Sequence, residues 1–111
     1  MKKNLHPVSV SHDKLMVARL QRDPEFAVEY LKVAIEEATD EDGRHVLLGA
    51  IRQIAEAHGI AKIARAAGIK RESLSRALSA KGNPRFDTLY AVIHAMGLQL
   101  TVQPAQMHAH A

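Results

Sequence analysis

The sequence predicts an all-α domain that carries one short β-strand near its C-terminal end. Apolar residues recur every three or four positions through most of residues 24–96, which is the spacing of one buried helix face. Strict alternation of apolar and polar residues occurs only at residues 98–103 and is typical of a strand. The chain of 111 residues is long enough for one domain with a modest core.

Composition narrows the class of protein. Hydrophobic residues make up 47% of the chain and charged residues 24%, which is the balance of an ordinary globular protein. The absence of cysteine excludes disulfides and thiolate metal sites, and no apolar run is long enough for a transmembrane helix. Polar residues follow Lys2 and Lys3 where a signal peptide would have an apolar run, so we expect a cytoplasmic protein that does not bind membranes.

Residues 1–22 are predicted to form a partly disordered N-terminal arm, in which a short helix is expected over residues 14–21. The domain begins at Asp23-Pro24-Glu25, because an aspartate cap, a proline at the first helical position and an acid in the first turn mark a helix start. This helix is expected to end near Ala38. The apolar face that it turns toward the core includes Phe26, Tyr30 and Leu31.

Glycines and prolines divide the rest of the chain into short elements. Further helices are predicted at residues 44–58, 60–67, 71–79 and 86–96. The strand at residues 98–103 ends at Pro104, and residues 104–111 are predicted to be a disordered tail. The domain is therefore expected to span residues 23–103.

Charge is distributed unevenly along the chain. Residues 44–85 contain nine basic and two acidic residues, a net charge of +7, while the whole chain carries only +3. A basic segment inside an otherwise acidic chain favours binding of a polyanion, although a solvated charged surface has the same composition.

Residues 60–78 have the pattern of two short helices joined by a three-residue turn, a helix-turn-helix. Ala64 is small enough to let the helices cross closely, Gly68 can adopt a positive φ in the turn, and Leu74 anchors the second helix on the first. An ordinary αα-hairpin shares this outline, but the basic excess over the same residues favours a DNA-binding motif. Other apolar positions of the pattern are filled by Ile63, Ala67, Ile69 and Ala77.

The second helix of such a motif lies in the major groove of DNA, with its N-terminal residues toward the bases. Its outward side chains are predicted to contact base edges: Arg71, Glu72, Ser75 and Arg76. Arg76 is the strongest candidate, and its i, i+4 spacing from Glu72 also permits an ion pair. Contacts to phosphates are predicted for Lys62, Arg65, Lys70, Ser73, Lys81, Asn83 and Arg85.

These residues resemble the helix-turn-helix of the lambda-repressor/Cro-like proteins, and residues from about 29 to 102 are similar to the addiction-module antidotes (antitoxins) within that superfamily. The similar stretches are EYLKVAIEEA (29–38), AIRQIAEAHGIAKIARAAGIKRESLSRALSAKGNPRFDTL (50–89) and MGLQLTV (96–102). The resemblance implies a compact bundle of about five helices. It also implies a dimer that represses its own operon and neutralises a small ribonuclease-type toxin. Lys70 departs from the family pattern, which has Ser or Thr there to cap the recognition helix.

Dimerisation is also expected on geometric grounds, because operators of helix-turn-helix proteins are usually two-fold symmetric. Each protomer then needs an interface outside its recognition helix, and the last helix and the strand are the available elements. Pairing of two copies of the strand would satisfy its exposed edge. The predicted dimer contacts are Leu98, Leu100 and Val102.

Three alternatives to an antitoxin follow from the same residues. A freestanding regulator would use the same DNA contacts without a toxin, and a protein-interaction module would use the aromatic face of the helix at residues 24–38. An enzyme or metal protein is not expected, because the seven histidines have no metal-binding spacing and no nucleophile or phosphate-loop motif occurs. No cofactor is expected.

Overall fold

Six α-helices follow one another in residues 7–105, the part of the chain that the computed structural model describes, with side chains described from residue 12 onward. None of these helices is long and apolar enough to cross a membrane. The predicted helical class is confirmed, with one helix more than the resemblance implies. The helices are α1 (Pro7–Arg22), α2 (Pro24–Glu36), α3 (Glu41–His58), α4 (Ile60–Ala67), α5 (Arg71–Ala77) and α6 (Phe86–Ala95).

The first helix corrects the expectation of an irregular arm over residues 7–13. α1 begins at Pro7, which is tolerated there because the first N–H groups of a helix have no intrahelical partner. The helix packs against α2 and α3. It buries Leu20, while Met16 and Val17 are partly buried. Because so few side chains make this contact, apolar residues do not recur every three or four positions throughout α1. Residues 1–6 of the predicted arm lie outside the described residues.

Two aspartate caps fix the starts of α2 and α3. The Asp23 carboxylate accepts a hydrogen bond from the Phe26 N–H at 3.0 Å, which confirms the predicted helix start. The Asp40 carboxylate accepts a hydrogen bond from the Gly43 N–H at 2.8 Å. α3 therefore begins at Glu41 rather than at residue 44.

The central element of the core is α3. Its Ile51, Ile54 and Ala55 are at most 1% exposed, and the helix packs against α1, α2 and α4. α4 packs in turn against α5 and α6. The later helices contribute the fully buried Ile63, Leu74 and Val92, and Leu78, the residue after α5, completes this set.

A chain of side-chain hydrogen bonds joins the first three helices. Gln53 of α3 donates through Nε2 to Asp13 Oδ1 at 2.7 Å and accepts through Oε1 from the Tyr30 hydroxyl at 2.5 Å. Burial raises the pKa of Tyr30, and the charge of Asp13 raises it further, while Arg52 lowers it. Tyr30 is therefore a neutral hydrogen-bond donor at neutral pH.

The aromatic residues of α2 are engaged within the chain. The rings of Phe26 and Tyr30 stack with their centroids 5.7 Å apart. The Arg19 guanidinium lies 3.7 Å from the centroid of the Phe26 ring, in a cation–π contact. Both rings are partly buried against the core, as the sequence predicts, which disfavours an aromatic face for a partner on this helix.

The predicted C-terminal strand is not found, since residues 98–105 of the described chain have no regular secondary structure. A strand needs a second strand to bond with, and no other strand occurs among residues 7–105. The alternation at residues 98–103 has a different origin here. Leu98 and Leu100 pack partly buried against the core, whereas Val102 is 97% exposed. Residues 106–111 of the predicted tail lie outside the described residues.

Replacing Gln53 with leucine tests the hydrogen-bonded chain, because it keeps the side-chain volume and removes both bonds. We expect the free energy of unfolding in urea to fall by about 1–3 kcal/mol, since the Tyr30 hydroxyl and the Asp13 carboxylate both lose a partner. The matched control is Gln21→Leu on exposed α1 surface, which should change stability by no more than about 0.5 kcal/mol. Equal effects of the two substitutions would contradict a stabilising role for Gln53.

Candidate nucleic-acid interface

Two short helices, α4 and α5, are joined by a turn of three residues, Gly68, Ile69 and Lys70. Gly68 adopts a left-handed conformation (φ 75°, ψ 28°), which is accessible at little cost only to glycine. The N–H of Gly68 donates to the Arg65 carbonyl at 3.1 Å, and the N–H of Ile69 donates to the Ala64 carbonyl at 3.0 Å. These bonds close the end of α4 and redirect the chain into α5.

The apolar sides of α4 and α5 face each other and the core. Ala64 is 2% exposed and Leu74 is completely buried, so the small residue and the anchoring leucine both lie in the contact. Ala67 and Ile69 are partly buried beside them. Because α5 has only seven residues, it depends on this packing to remain helical.

The outward side of α5 carries all four residues that were predicted to contact bases. Arg71, Glu72, Ser75 and Arg76 are exposed. The permitted ion pair between Glu72 and Arg76 does not form in the described part of the chain. Both side chains are therefore available to a ligand.

The residues predicted to contact phosphates do not form one cluster. Lys62 lines a cleft with Leu20 of α1 and Pro24 of α2, while Lys81 and Asn83 line another with Arg44 of α3. All of the predicted residues except Ser73, which is half-buried, are exposed: Lys62, Arg65, Lys70, Lys81, Asn83 and Arg85. Of these, Arg85 lies 3.8 Å from the Asp87 carboxylate, in an exposed pair.

A close backbone contact holds the loop after α5 in place. A Cβ added at Gly82 would lie 2.0 Å from the Ala77 carbonyl oxygen, so only glycine fits against the end of α5. The Gly82 N–H donates to the Ser79 carbonyl at 2.9 Å. Lys81 and Asn83 are consequently positioned next to the end of α5.

The structure adds two residues that sequence reasoning did not assign to the site. Arg52 and Glu56 of α3 form an ion pair at 3.1 Å and line a cleft together with Arg71 and Ser75 of α5. Arg52 belongs to the basic segment, but nothing in the sequence shows that this turn of α3 lies beside α5.

The site has the composition of an anion-binding surface rather than of a metal centre. Among the described residues, no group of three or more His, Asp or Glu side chains is placed to hold a metal ion. Exposed cations and hydroxyls on α5 and its neighbours can instead bind phosphates and the edges of bases.

Comparison with known proteins identifies relatives of the chain. Residues 12–104 match a family model described as "probable addiction module antidote protein". An uncharacterised protein of Haemophilus influenzae is 41% identical over 78 residues, which cover 70% of this chain and 80% of the relative. No solved structure shows significant similarity to the chain.

The start of α5 lacks a side-chain cap, and a residue that supplies one should stabilise the protein. Lys70 occupies the N-cap position with extended backbone and makes no side-chain capping bond. Replacing Lys70 with serine should raise the free energy of unfolding by about 0.5–1 kcal/mol, because serine can accept a bond from an N–H group of the first turn. Lys70→Ala removes the same cation without supplying a cap and should not stabilise the protein in urea denaturation. Stabilisation by alanine as large as that by serine would contradict the capping argument.

Proposed function

The chain belongs to the family of addiction module antidote proteins, and from this premise we propose that it is the antitoxin of a toxin–antitoxin pair. In this proposal it is a cytoplasmic, sequence-specific DNA-binding protein. It neutralises a small toxin protein and represses the operon that encodes both. A freestanding regulator would make the same DNA contacts but would have no toxin to neutralise.

The observation that carries the DNA-binding proposal is the outward side of α5. Four side chains able to contact base edges are exposed there, within a segment of net charge +7. α4, the turn and α5 act as a helix-turn-helix of the lambda-repressor/Cro-like class. α5 enters the major groove, where Arg71 and Arg76 pair with guanine and Glu72 with cytosine.

The surrounding residues bind the DNA backbone in this proposal. Cations on α4, in the turn and in the loop after α5 contact phosphates on either side of the groove. They set affinity and orientation, while the four residues on α5 set sequence preference. The residues that contact phosphates are Lys62, Arg65, Lys70, Ser73, Lys81, Asn83 and Arg85.

A homodimer completes the proposed operator complex, because two recognition helices must enter half-sites about 34 Å apart. Leu98 and Leu100 fix the C-terminal segment on the core of its own chain, which leaves its backbone and Val102 available to a second copy. Antiparallel pairing of residues 98–103 would then form the predicted strand across the two-fold axis.

Binding to the chain's own upstream promoter fragment tests the proposal. Fluorescence anisotropy at two salt concentrations should show a preference of about 1000-fold or more over scrambled DNA that persists at the higher salt. Weak binding that is equal for both DNAs and is lost with salt would contradict a specific repressor, because it would reflect phosphate contacts alone.

Two substitutions separate base contacts from phosphate contacts. Arg76→Ala should weaken binding to the cognate operator by about 1–3 kcal/mol and have little effect on random DNA. Lys81→Ala should weaken binding to both DNAs equally and reduce the salt dependence. Equal losses on both DNAs for Arg76→Ala would reassign Arg76 to the phosphate contacts.

Val102 is the residue at which the dimer contact is tested, because its side chain is 97% exposed in the single chain. Val102→Asp should shift the protein toward monomer in sedimentation velocity, because it places two carboxylates at the proposed pairing site. Thr101→Asp adds the same charge at the neighbouring position, which points to the opposite side of a strand, and should leave the dimer intact. A dimer that survives Val102→Asp at the same concentration would exclude this interface.

A further inference from the structure

The residues before the basic segment are as acidic as that segment is basic. Residues 23–42 contain eight acidic residues and one basic residue, a net charge of −7, against +7 for residues 44–85. The two segments meet at the start of α3, where Glu41 lines a cleft with Arg44 and Lys81. α2, which carries three of the eight acids, packs on α1 and α3, while α5 packs on α4. The acidic side of α2 is repelled by DNA.

The outer face of α2 combines three acids and one lysine with exposed aliphatic side chains. It is defined here as Glu25, Val28, Glu29, Lys32, Val33, Ile35 and Glu36. Helical spacing places the three glutamates in one stripe, with Val28 and Ile35 on one side of it and Val33 on the other. The exposed fractions are 39% for Val28, 47% for Val33 and 41% for Ile35. Three of the four charged side chains on this face are acidic, and Lys32 is the one cation among them. Exposed apolar side chains among such charges also occur in polar protein interfaces.

Two of the three glutamates on this face, Glu25 and Glu36, make no ion pair among the described residues. In the described residues, the one ion pair that the face makes is between Glu29 and Lys32, at 3.9 Å and largely exposed. Glu25 and Glu29 repel each other at i, i+4 spacing. Glu36 lies in the last turn of α2, which contains no basic residue, so its charge adds to the negative end of the helix dipole. A cationic partner would relieve both unfavourable placements.

We propose that the outer face of α2 is the docking surface for a protein partner whose contact surface is basic with apolar side chains among the cations. This inference rests on the proposed function for the identity of that partner, which is the toxin. The docking surface and the DNA-binding surface lie on different helices, so a docked toxin leaves α5 uncovered. Val28 and Ile35 line a groove together with Leu98 and Leu100, which places the toxin beside the proposed dimer contact.

The test uses the full-length chain and the purified product of the reading frame adjacent to its gene. Glu29→Lys/Glu36→Lys should weaken binding of that protein by about 100-fold in calorimetry, since attraction becomes repulsion at two contacts. The same variant should no longer relieve the growth arrest that the adjacent protein causes. It should remain folded, because lysine near the C-terminal end of α2 is favourable for the helix dipole. Its affinity for the promoter fragment should stay the same or rise.

Glu41→Lys/Asp42→Lys is the control for net charge, because it makes the same change at exposed positions of α3. Both positions lie in the first turn of α3, where lysine is unfavourable for the helix dipole, so binding is compared below the unfolding temperature of both variants. The control should bind the adjacent protein like the wild type. If the control loses as much affinity as the α2 variant, the effect is long-range attraction and the docking surface is wrong. If the wild type binds and the α2 variant binds equally well, the surface assignment alone is wrong. If the wild type neither binds the adjacent protein nor relieves growth arrest, the antitoxin proposal fails, and this inference fails with it.

Discussion

The candidate DNA-binding helices depend on one apolar core organised around α3. α4 and α5 have eight and seven residues, and isolated helices of that length are not stable in water. They are helical here because Ile63, Leu74 and Leu78 are almost completely buried. α3 anchors this arrangement by packing on α4 at one side and on α1 and α2 at the other. The orientation of α5 therefore depends on the whole bundle.

Charge is divided along the chain between an acidic segment and a basic segment. The acidic residues are concentrated in α2 and the start of α3, and the basic residues follow from Arg44 to Arg85. A member of the antidote family has to recognise a protein, and DNA binding, where it occurs, needs a surface of its own. Segregated charges suit that purpose, since each surface attracts one class of partner and repels the other. The nearly neutral whole chain hides this division, which is visible only when charges are counted by segment.

Part of the site could be predicted from the sequence because it depends only on residues that are close together in the chain. A glycine at residue 68 marks a turn, and the period of three and four residues around Ala64 and Leu74 separates inward from outward positions. Those rules correctly predicted that Arg71, Glu72, Ser75 and Arg76 are exposed. The cleft that joins Arg52 and Glu56 to Arg71 and Ser75 was not predictable, because local rules do not specify which turns of two distant helices lie side by side.

The sequence by itself determined the helical class, the cap at Asp23, the turn at Gly68 and the location of the basic segment, because each depends on neighbours within a few residues. Tertiary structure decided the rest. α1 packs Met16, Val17 and Leu20 against the core of the bundle, a contact that no local pattern in the sequence predicts. Gln53 bonds to residues 40 and 23 positions away. Residues 98–103 alternate like a strand but form none within residues 7–105, because pairing requires a second strand and Leu98 and Leu100 pack on the core instead.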